Sequence, residues 1–400
     1  MNKVVDVVII GAGVIGCSIA YNLAKKGVKV AVVEKKIGLS FGASGTNHGG
    51  CPLQLFEPPV LELARESIKL YKDLSDQIGY DVEYENVGSL VCSVNEKQYP
   101  DIEKHFRKKK EEGINVHLIE GKELREMEPT LGKDVVVGVE EWESCTVNPF
   151  KVNYGFAYAA KKLGTEFFFS TEVKKMEIKK GEIVSIVTES EKIKPRFVVN
   201  AAGAWSCKVG EMAGITVPII PRKGQIIVTE PVPLNKRWRQ ISDADYLTTA
   251  FNLEAVKKSK DPRIKLGVAG VFVQENTGNW TIGSSREFAG YDNKVTITTV
   301  RHIAKRAIKF IPKLKEINCI RIFAGLRPFC YIDGLPIISK VENPGNFILA
   351  TGHAGEGITL APITGKLVSE LITEGKTSLP IEPFSFSRFK NIKNINKTPV

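Results

Sequence analysis

Residues 4–16 read Val-Val-Asp-Val-Val-Ile-Ile-Gly-Ala-Gly-Val-Ile-Gly, and Val28-Lys29-Val30-Ala31-Val32-Val33-Glu34 follows one helix later. Val4 to Ile10 is a β-branched run of the kind that forms a buried strand. The segment from Val14 through Lys26 sets Ile19, Ala20, Leu23 and Ala24 on one apolar helix face, and Gly27 ends it as a C-cap. Val28 to Val33 is a second strand, closed by Glu34. The three pieces make one βαβ unit of about thirty residues. Within it, Gly11-x-Gly13-x-x-Gly16 lies between strand and helix, and Glu34 stands 18 positions beyond the third glycine. In this context Gly11 allows the tight turn, Gly13 lets a pyrophosphate approach the backbone, and Gly16 permits close helix–strand packing. The free N–H groups and the helix dipole attract phosphates, and Glu34 is placed to accept from ribose hydroxyls. A dinucleotide is expected, and the motif alone does not choose between NAD and FAD.

Outward from this unit, residues 38–50 form a loop rich in glycine and small polar residues, and a helix is expected from Val60 to Ile78. Gly88 to Val94 and Val116 to Glu120 read as strands around a charged helix at 96–113. Asn148-Pro149 supplies a cap and a first helical residue for a helix to Leu163. Glu166 to Met176 and Glu182 to Thr188 read as a strand–turn–strand about Lys180-Gly181, and Phe197 to Ala202 as a buried strand. Residues 222–330 are strand-rich, with a helix at 296–310; Phe347 to Thr351 is a last buried strand before a helix at 357–372. From Ser387 onward the Lys/Asn-rich end is expected to fray. No repeat of 20–50 residues recurs. The fold class is therefore α/β: a Rossmann-like nucleotide domain, discontinuous over 1–87, 146–221 and 320–385, with a strand-rich (α+β) domain from 88–145 and 222–319, and a tail at 386–400.

Composition narrows the rest. At 400 residues the chain suits two domains, and 43% hydrophobic with 25% charged residues describes a globular protein with a substantial core. The seven cysteines are odd in number and scattered, with no C-x-x-C pair, against both a disulfide framework and a cysteine metal site. No metal is expected. The apolar stretch from Val7 to Ala20 could pass for a signal peptide, but its glycine spacing belongs to the nucleotide motif. No apolar run reaches the roughly 18 residues of a membrane span. A cytoplasmic, soluble protein is the expectation. The net charge of +11 is spread over lysine pairs and triplets such as Lys108-Lys109-Lys110, without an arginine-rich arm, so no nucleic-acid partner is expected.

Five motifs in order resemble one family, the D-amino-acid oxidase-like FAD oxidoreductases, which include glycine oxidase, sarcosine oxidase and dye-linked proline dehydrogenase subunits. They are the glycines at 11–16, Ala-Ser-Gly-Thr-Asn-His-Gly-Gly at 43–50, Val-Val-Asn-Ala-Ala-Gly-Ala-Trp-Ser at 198–206, Gly-Leu-Arg-Pro at 325–328, and Thr-Gly-His-Ala-Gly-Glu-Gly-Ile-Thr-Leu-Ala-Pro at 351–362. The resemblance spans residues 4–375 and selects FAD as the cofactor.

The resemblance implies roles residue by residue. Gly11, Gly13, Ile15, Gly16, Glu34 and Lys35 would hold the nucleotide. Ser44, Gly45, Asn47, His48, Gly49 and Gly50 would wrap the ribityl and dimethylbenzene side of the flavin. The Val173 backbone would meet the adenine, with Gly203 and Trp205 near the pyrophosphate and ribityl chain. Gly355, Gly357, Ile358 and Thr359 would present N–H groups to the flavin N1–C2=O edge, where a helix N-terminus stabilises the charge of the reduced ring. Two attachments stay open: dissociable FAD, or a covalent bond from His48 to the flavin 8-methyl group.

On the substrate side, the resemblance makes Arg327 the partner of a substrate carboxylate. Tyr246, expected on a strand, is a candidate hydroxyl donor to the same group. His353 and Lys223 are assigned structural places, Lys223 in a turn. The expected reaction is oxidation of the C–N bond of an amino acid or secondary amine (glycine, D-amino acid, sarcosine or proline type) to the imine by hydride transfer to flavin N5. Oxygen, a quinone or a partner subunit would be the electron acceptor, in a homo- or hetero-oligomer. The alternatives are a flavin dehydrogenase of a 2-hydroxy acid or glycerol phosphate, and an electron-relaying subunit of a hetero-oligomer.

Overall fold

The computed structural model describes residues 2–233 and 240–390. Strand Asn2–Ile10 lies at the centre of the first sheet, parallel to Val30–Val33 on one side and to Lys192–Asn200 on the other. Its alternate residues enter two separate cores. Val7 and Ile9 pack with helices Val14–Lys25 and Gly357–Thr373, while Val8 and Ile10 pack with Val173, Val198 and Phe347 on the opposite face. Burial on both faces explains the uninterrupted β-branched run. The sheet continues through Glu166–Phe168 beyond Val30–Val33, and through parallel Phe347–Thr351 beside Lys192–Asn200. Strands Lys175–Lys179, Glu182–Val187 and Ile337–Lys340 join antiparallel at its margins.

The second sheet runs Cys319–Cys330, Ile219–Thr229, Trp280–Gly283, Val271–Gln274, Gln240–Asp243, Ser89–Ser93, Val137–Glu141, Val116–Glu120. It is antiparallel apart from the Gln240–Asp243 and Ser89–Ser93 pair. Helix Ile297–Phe310 covers it with Ile303, Ala307 and Phe310. Next to that core, Arg306 is gripped by Asp243 (Nε–Oδ2 2.6 Å, Nη2–Oδ1 2.7 Å) and reaches Asp245 at 3.0 Å. Three short strands, Gly50–Cys51, Cys145–Thr146 and Glu85–Asn86, form a small separate sheet.

Several expectations change. Cys319–Cys330 belongs to the second sheet, because it pairs along Ile219–Thr229 from Cys330↔Ile219 onward; residues 320–330 therefore do not share the sheet of 1–87. Glu166–Phe168 is a strand of its own beside Val30–Val33, not one arm of a hairpin with 182–188. The helix from Val60 breaks at Asp73 into Val60–Lys72 and Leu74–Ile78. Three short helices, Asp245–Phe251, Leu253–Lys258 and Pro262–Lys265, interrupt the strand-rich region. Residues 386–390 are anchored rather than frayed: Phe389 is buried against the first sheet and Arg388 donates to Asp333 at 2.7 Å. The remainder of the expected tail, 391–400, lies outside the described residues. The cap at Asn148 forms as read, its Oδ1 accepting from Phe150 and Lys151. Among the described residues no helix is long and apolar enough to cross a membrane.

Candidate active site

A cavity of about 750 Å³ runs between the two sheets. Its first end is built by the loop after Asn2–Ile10. Gly11 has φ +109°, and a β-carbon there would come within 2.5 Å of the Ala201 carbonyl oxygen, so only glycine fits. Gly13 and Ile15 line the cavity, as do Glu34, Lys35, Val173, Gly203 and Trp205. The Glu34 carboxylate accepts from the Ala12 N–H at 2.9 Å and the Lys36 N–H at 2.8 Å, which fixes it at the cavity wall. Lys35 Nζ sits 3.9 Å from the Trp205 ring centroid, and burial lowers its pKa. Ser44 lines the same wall and accepts the Val14 N–H at 3.0 Å.

Further along, Asn47, His48, Gly50, Gly355, Gly357, Ile358 and Thr359 line the cavity. Helix Gly357–Thr373 starts there, with no side-chain hydrogen bond capping its N-terminus. Its free N–H groups and dipole make this wall attractive to negative charge. Burial, with Arg327 and Arg286 beside it, lowers His48 to about 4, so the imidazole is neutral; its Nδ1 accepts from the Gly50 N–H at 3.4 Å.

Three residues assigned to the cofactor do not line the cavity. Gly16 packs on the Gly11 carbonyl, Gly45 on the Ser40 carbonyl, and Gly49, at φ +74°, on the Val147 carbonyl. These glycines shape the loops from behind.

The far end is made by the second sheet. Arg222 and Arg327 are direct cross-strand partners, so both project from one face, and Gly224 and Gly325, the next pair along that face, leave room. A β-carbon at Gly325 would fall on Thr46, where the sheet presses against the first end's loop. Arg327 donates from Nη1 to the Ser285 carbonyl at 3.0 Å and from Nη2 to Ser284 Oγ at 2.7 Å, leaving a second N–H on each nitrogen. Burial and then Arg286 lower its pKa to about 10, so it stays charged at neutral pH.

Tyr246 reaches the cavity, but from helix Asp245–Phe251 and not from a strand, because the chain turns at Ala244 after Gln240–Asp243. Arg286 lies over its ring, Cζ 4.2 Å from the centroid. His353 is buried, its Nε2 3.1 Å from Thr364 Oγ1, and burial lowers its pKa to about 3. Lys223 is a buried strand residue, not a turn residue, with Nζ 3.5 Å from Asp292.

Sequence reasoning missed Arg222, Arg286, Gln240 and Glu356, which also line the cavity. Strand alternation could have found Arg222, two residues before Gly224 and level with Arg327. Arg286 follows strand Trp280–Gly283 around a bend, where no periodicity carries through. Burial raises Glu356 to about 7, with Arg286 pulling it back down.

The residues present fit FAD. The glycine turn and first helix form a phosphate cradle, the cavity extends unbroken to a second helix N-terminus, and the arginines lie beyond it. When bound, FAD supplies a two-electron acceptor at its N5.

The comparisons agree. The family model "DAO: FAD dependent oxidoreductase" matches residues 6–371. The hydrogen cyanide synthase subunit HcnC of Pseudomonas aeruginosa is 28% identical, over 98% of this chain and 97% of its own. Glycine oxidase of Geobacillus kaustophilus is 27% identical, over 96% and 97%. Among solved structures, L-proline dehydrogenase from P. horikoshii superposes with a TM-score of 0.85 at 27% identity, covering 98% of this chain and 99% of that one. Glycine oxidase from G. kaustophilus gives 0.86 at 25% identity, over 97% and 99%. The chain belongs to the DAO family of FAD-dependent oxidoreductases.

Proposed function

We propose that this protein oxidises the C–N bond of a small carboxylate-bearing amino acid or secondary amine to the imine, with FAD taking the hydride. The observation that carries the reading is Arg327, charged and desolvated in the cavity wall beside Gly355, close to where the last helix begins. A planar guanidinium grips both oxygens of a carboxylate and so fixes the direction of the α-carbon hydrogen. Glu356 is the candidate to take the ammonium proton, since the neutral amine is the form that releases hydride. Tyr246 bounds the same space from below Arg286. The similarity to proteins named glycine oxidase and L-proline dehydrogenase supports an amine substrate.

The test is a panel of D- and L-amino acids, N-methyl amines, 2-hydroxy acids and glycerol phosphate, read by loss of flavin absorbance without oxygen. Bleaching by an amine supports the reading; bleaching only by a hydroxy acid or glycerol phosphate replaces it. Repeating the active pair with oxygen, a quinone and a dye identifies the acceptor. The relative HcnC is named a subunit, so untagged purification from native cells tests for a partner chain. We further propose that FAD is held without a covalent bond, His48 contributing contact only. Acid precipitation then leaves a yellow supernatant; a yellow pellet means a bond.

A further inference from the structure

The far end of the cavity holds three arginines, Arg222, Arg286 and Arg327. Arg222 and Arg327 stand directly opposite each other on adjacent strands, an arrangement that is destabilising for like charges unless something else neutralises them. Their hydrogen-bond acceptors within the described residues are carbonyl and hydroxyl oxygens, and Arg222 also lies over the Phe288 and Phe329 rings and Arg286 over Tyr246. Arg222 donates to Thr249 O and Ala250 O, Arg286 to Thr249 Oγ1 and Gly267 O, and Arg327 to Ser285 O and Ser284 Oγ. The buried Nε of Arg222 has no hydrogen-bond partner among the described residues. The contrast with Arg306 is direct: that buried arginine, outside the cavity, is matched by Asp243 and Asp245. The fold thus pairs a buried guanidinium with carboxylates where no ligand is involved, and leaves three with no carboxylate in hydrogen-bond reach where the cavity opens.

The charges sense one another. Arg286 and Arg327 both lower Arg222, to about 9, after burial itself, and Arg286 lowers Arg327. Glu356 is the acidic side chain that Arg286 stabilises in its charged form. Three guanidiniums face Glu356, which burial raises to about 7, and Glu287, whose charge reaches Arg327; with Glu356 protonated, two positive charges remain to be matched. A substrate with a single carboxylate fills Arg327 and leaves Arg286 and Arg222 desolvated and unmatched, which is the costly arrangement for buried charge.

We propose that the substrate carries two anionic groups: a carboxylate held by Arg327, and a second carboxylate or phosphate held by Arg286 and Arg222. The class is a dicarboxylic amino acid, an N-carboxyalkyl amine or a phosphorylated amine. For its amine this rests on the reaction proposed above; the two-anion site itself does not.

The experiment uses the FAD-loaded enzyme and measures binding by flavin difference spectra and by calorimetry at fixed ionic strength. The probes are acetate and butyrate as single anions, malonate and succinate as double ones, and 3-phosphopropionate to separate a phosphate from a carboxylate preference. The dianions are expected to bind about 100-fold more tightly than acetate, within the range found for desolvated charge pairs. Arg286→Met is expected to reduce that preference to a few-fold, with acetate affinity moving less than about threefold. Arg286→Lys, which keeps the charge, retains most of the preference and controls for folding. Wild-type enzyme binding acetate and succinate within threefold of each other overturns the proposal, as does a preference that survives both Arg286→Met and Arg222→Met. Should the methionine variants fail to fold, the wild-type comparison alone decides. Flavin bleached equally well by mono- and dicarboxylic amines also defeats this proposal and leaves the amine reaction standing. Tight dianion binding with no bleaching by any amine does the reverse.

Discussion

The guanidinium of Arg327 lies across the α-carbon of Gly224 on the neighbouring strand, so closely that a β-carbon at Gly224 would fall on its terminal nitrogens. The pose of the proposed carboxylate anchor is therefore set by a missing side chain on another strand. Gly224→Ala is expected to push Arg327 aside and lower kcat/KM about 10- to 100-fold, through an alignment error in the bound substrate. Flavin content should stay unchanged, because Gly224 lies in the second sheet and not in the nucleotide loop. A kcat/KM within twofold of wild type would sink this account.

Arg327→Ala should be more severe. Truncating one partner of a desolvated charge pair costs about 2–5 kcal/mol, or roughly 30- to several-thousand-fold in kcat/KM. Arg327→Lys keeps the charge but not the fork and should recover part of the loss. Flavin spectrum, melting temperature and kinetics belong side by side. An unchanged KM for the best carboxylate substrate would rule out the anchor; joint loss of flavin and stability would indicate that its bonds to Ser284 and Ser285 serve the fold instead.

The second and third glycines of the nucleotide motif should fail differently. A β-carbon at Gly13 meets Ser44 Oγ at 3.3 Å and little else, so Gly13→Val is expected to fold and fill the phosphate space. The product is a colourless protein with near-native circular dichroism. At Gly16 the added carbon would fall on the Gly11 carbonyl, so Gly16→Val should displace the first helix and lower the melting temperature. Equal flavin content in Gly13→Val and wild type would contradict the cradle.

The same contrast shows where sequence is legible. Asn2–Ile10, its helix and Val30–Val33 could be read to within two residues at each end, because a strand buried on both faces and a glycine turn leave local traces. The motif at 325–328 pointed to Arg327. Sheet membership was not local: Cys319–Cys330 pairs across about a hundred residues with Ile219–Thr229, and nothing in either segment names the other. Tyr246 was misplaced because residues 222–330 read as strand-rich apart from the helix at 296–310, whereas the chain turns into a helix at Ala244. Arg286 and Glu356 acquire their chemistry only from burial and from each other, which composition does not record.

Flavin reduction is expected to speed up as pH rises through about 7. Burial raises the Glu356 carboxyl to about 7, and Arg286 across the cavity pulls it down, so the group is protonated on the acid side and can accept a proton only on the alkaline side. His48 does not contribute, being neutral above about 4. Glu356→Gln should flatten this limb in stopped-flow traces; an unshifted profile would remove Glu356 from the proton path. Dianion binding should follow the opposite slope and weaken above about 7, since the ionised carboxylate competes for Arg286.

Acid should destabilise the fold through its buried histidines. His105 is lowered to about 4 and His353 to about 3, both chiefly by burial. A depressed folded-state pKa means that stability is complete above the unfolded value of about 6.5 and is lost as pH falls. Each should cost about 2–3 kcal/mol between pH 6.5 and 4. Urea midpoints across that range provide the measurement. A flat midpoint for wild type would show that neither ring is held neutral.

Gly325 meets Thr46 where the second sheet touches the loop proposed to hold the flavin. Arg222, Arg286 and Arg327 all come from residues 219–330, while the nucleotide turn and the last helix come from outside that span. A lineage, or an engineer, can therefore exchange one substrate for another by editing the 219–330 ribbon and inherit the redox machinery untouched. The seam at Thr46 and Gly325 marks where that freedom stops: any side chain added at 325 moves the loop that cradles the ring, and an inherited chemistry becomes a broken one.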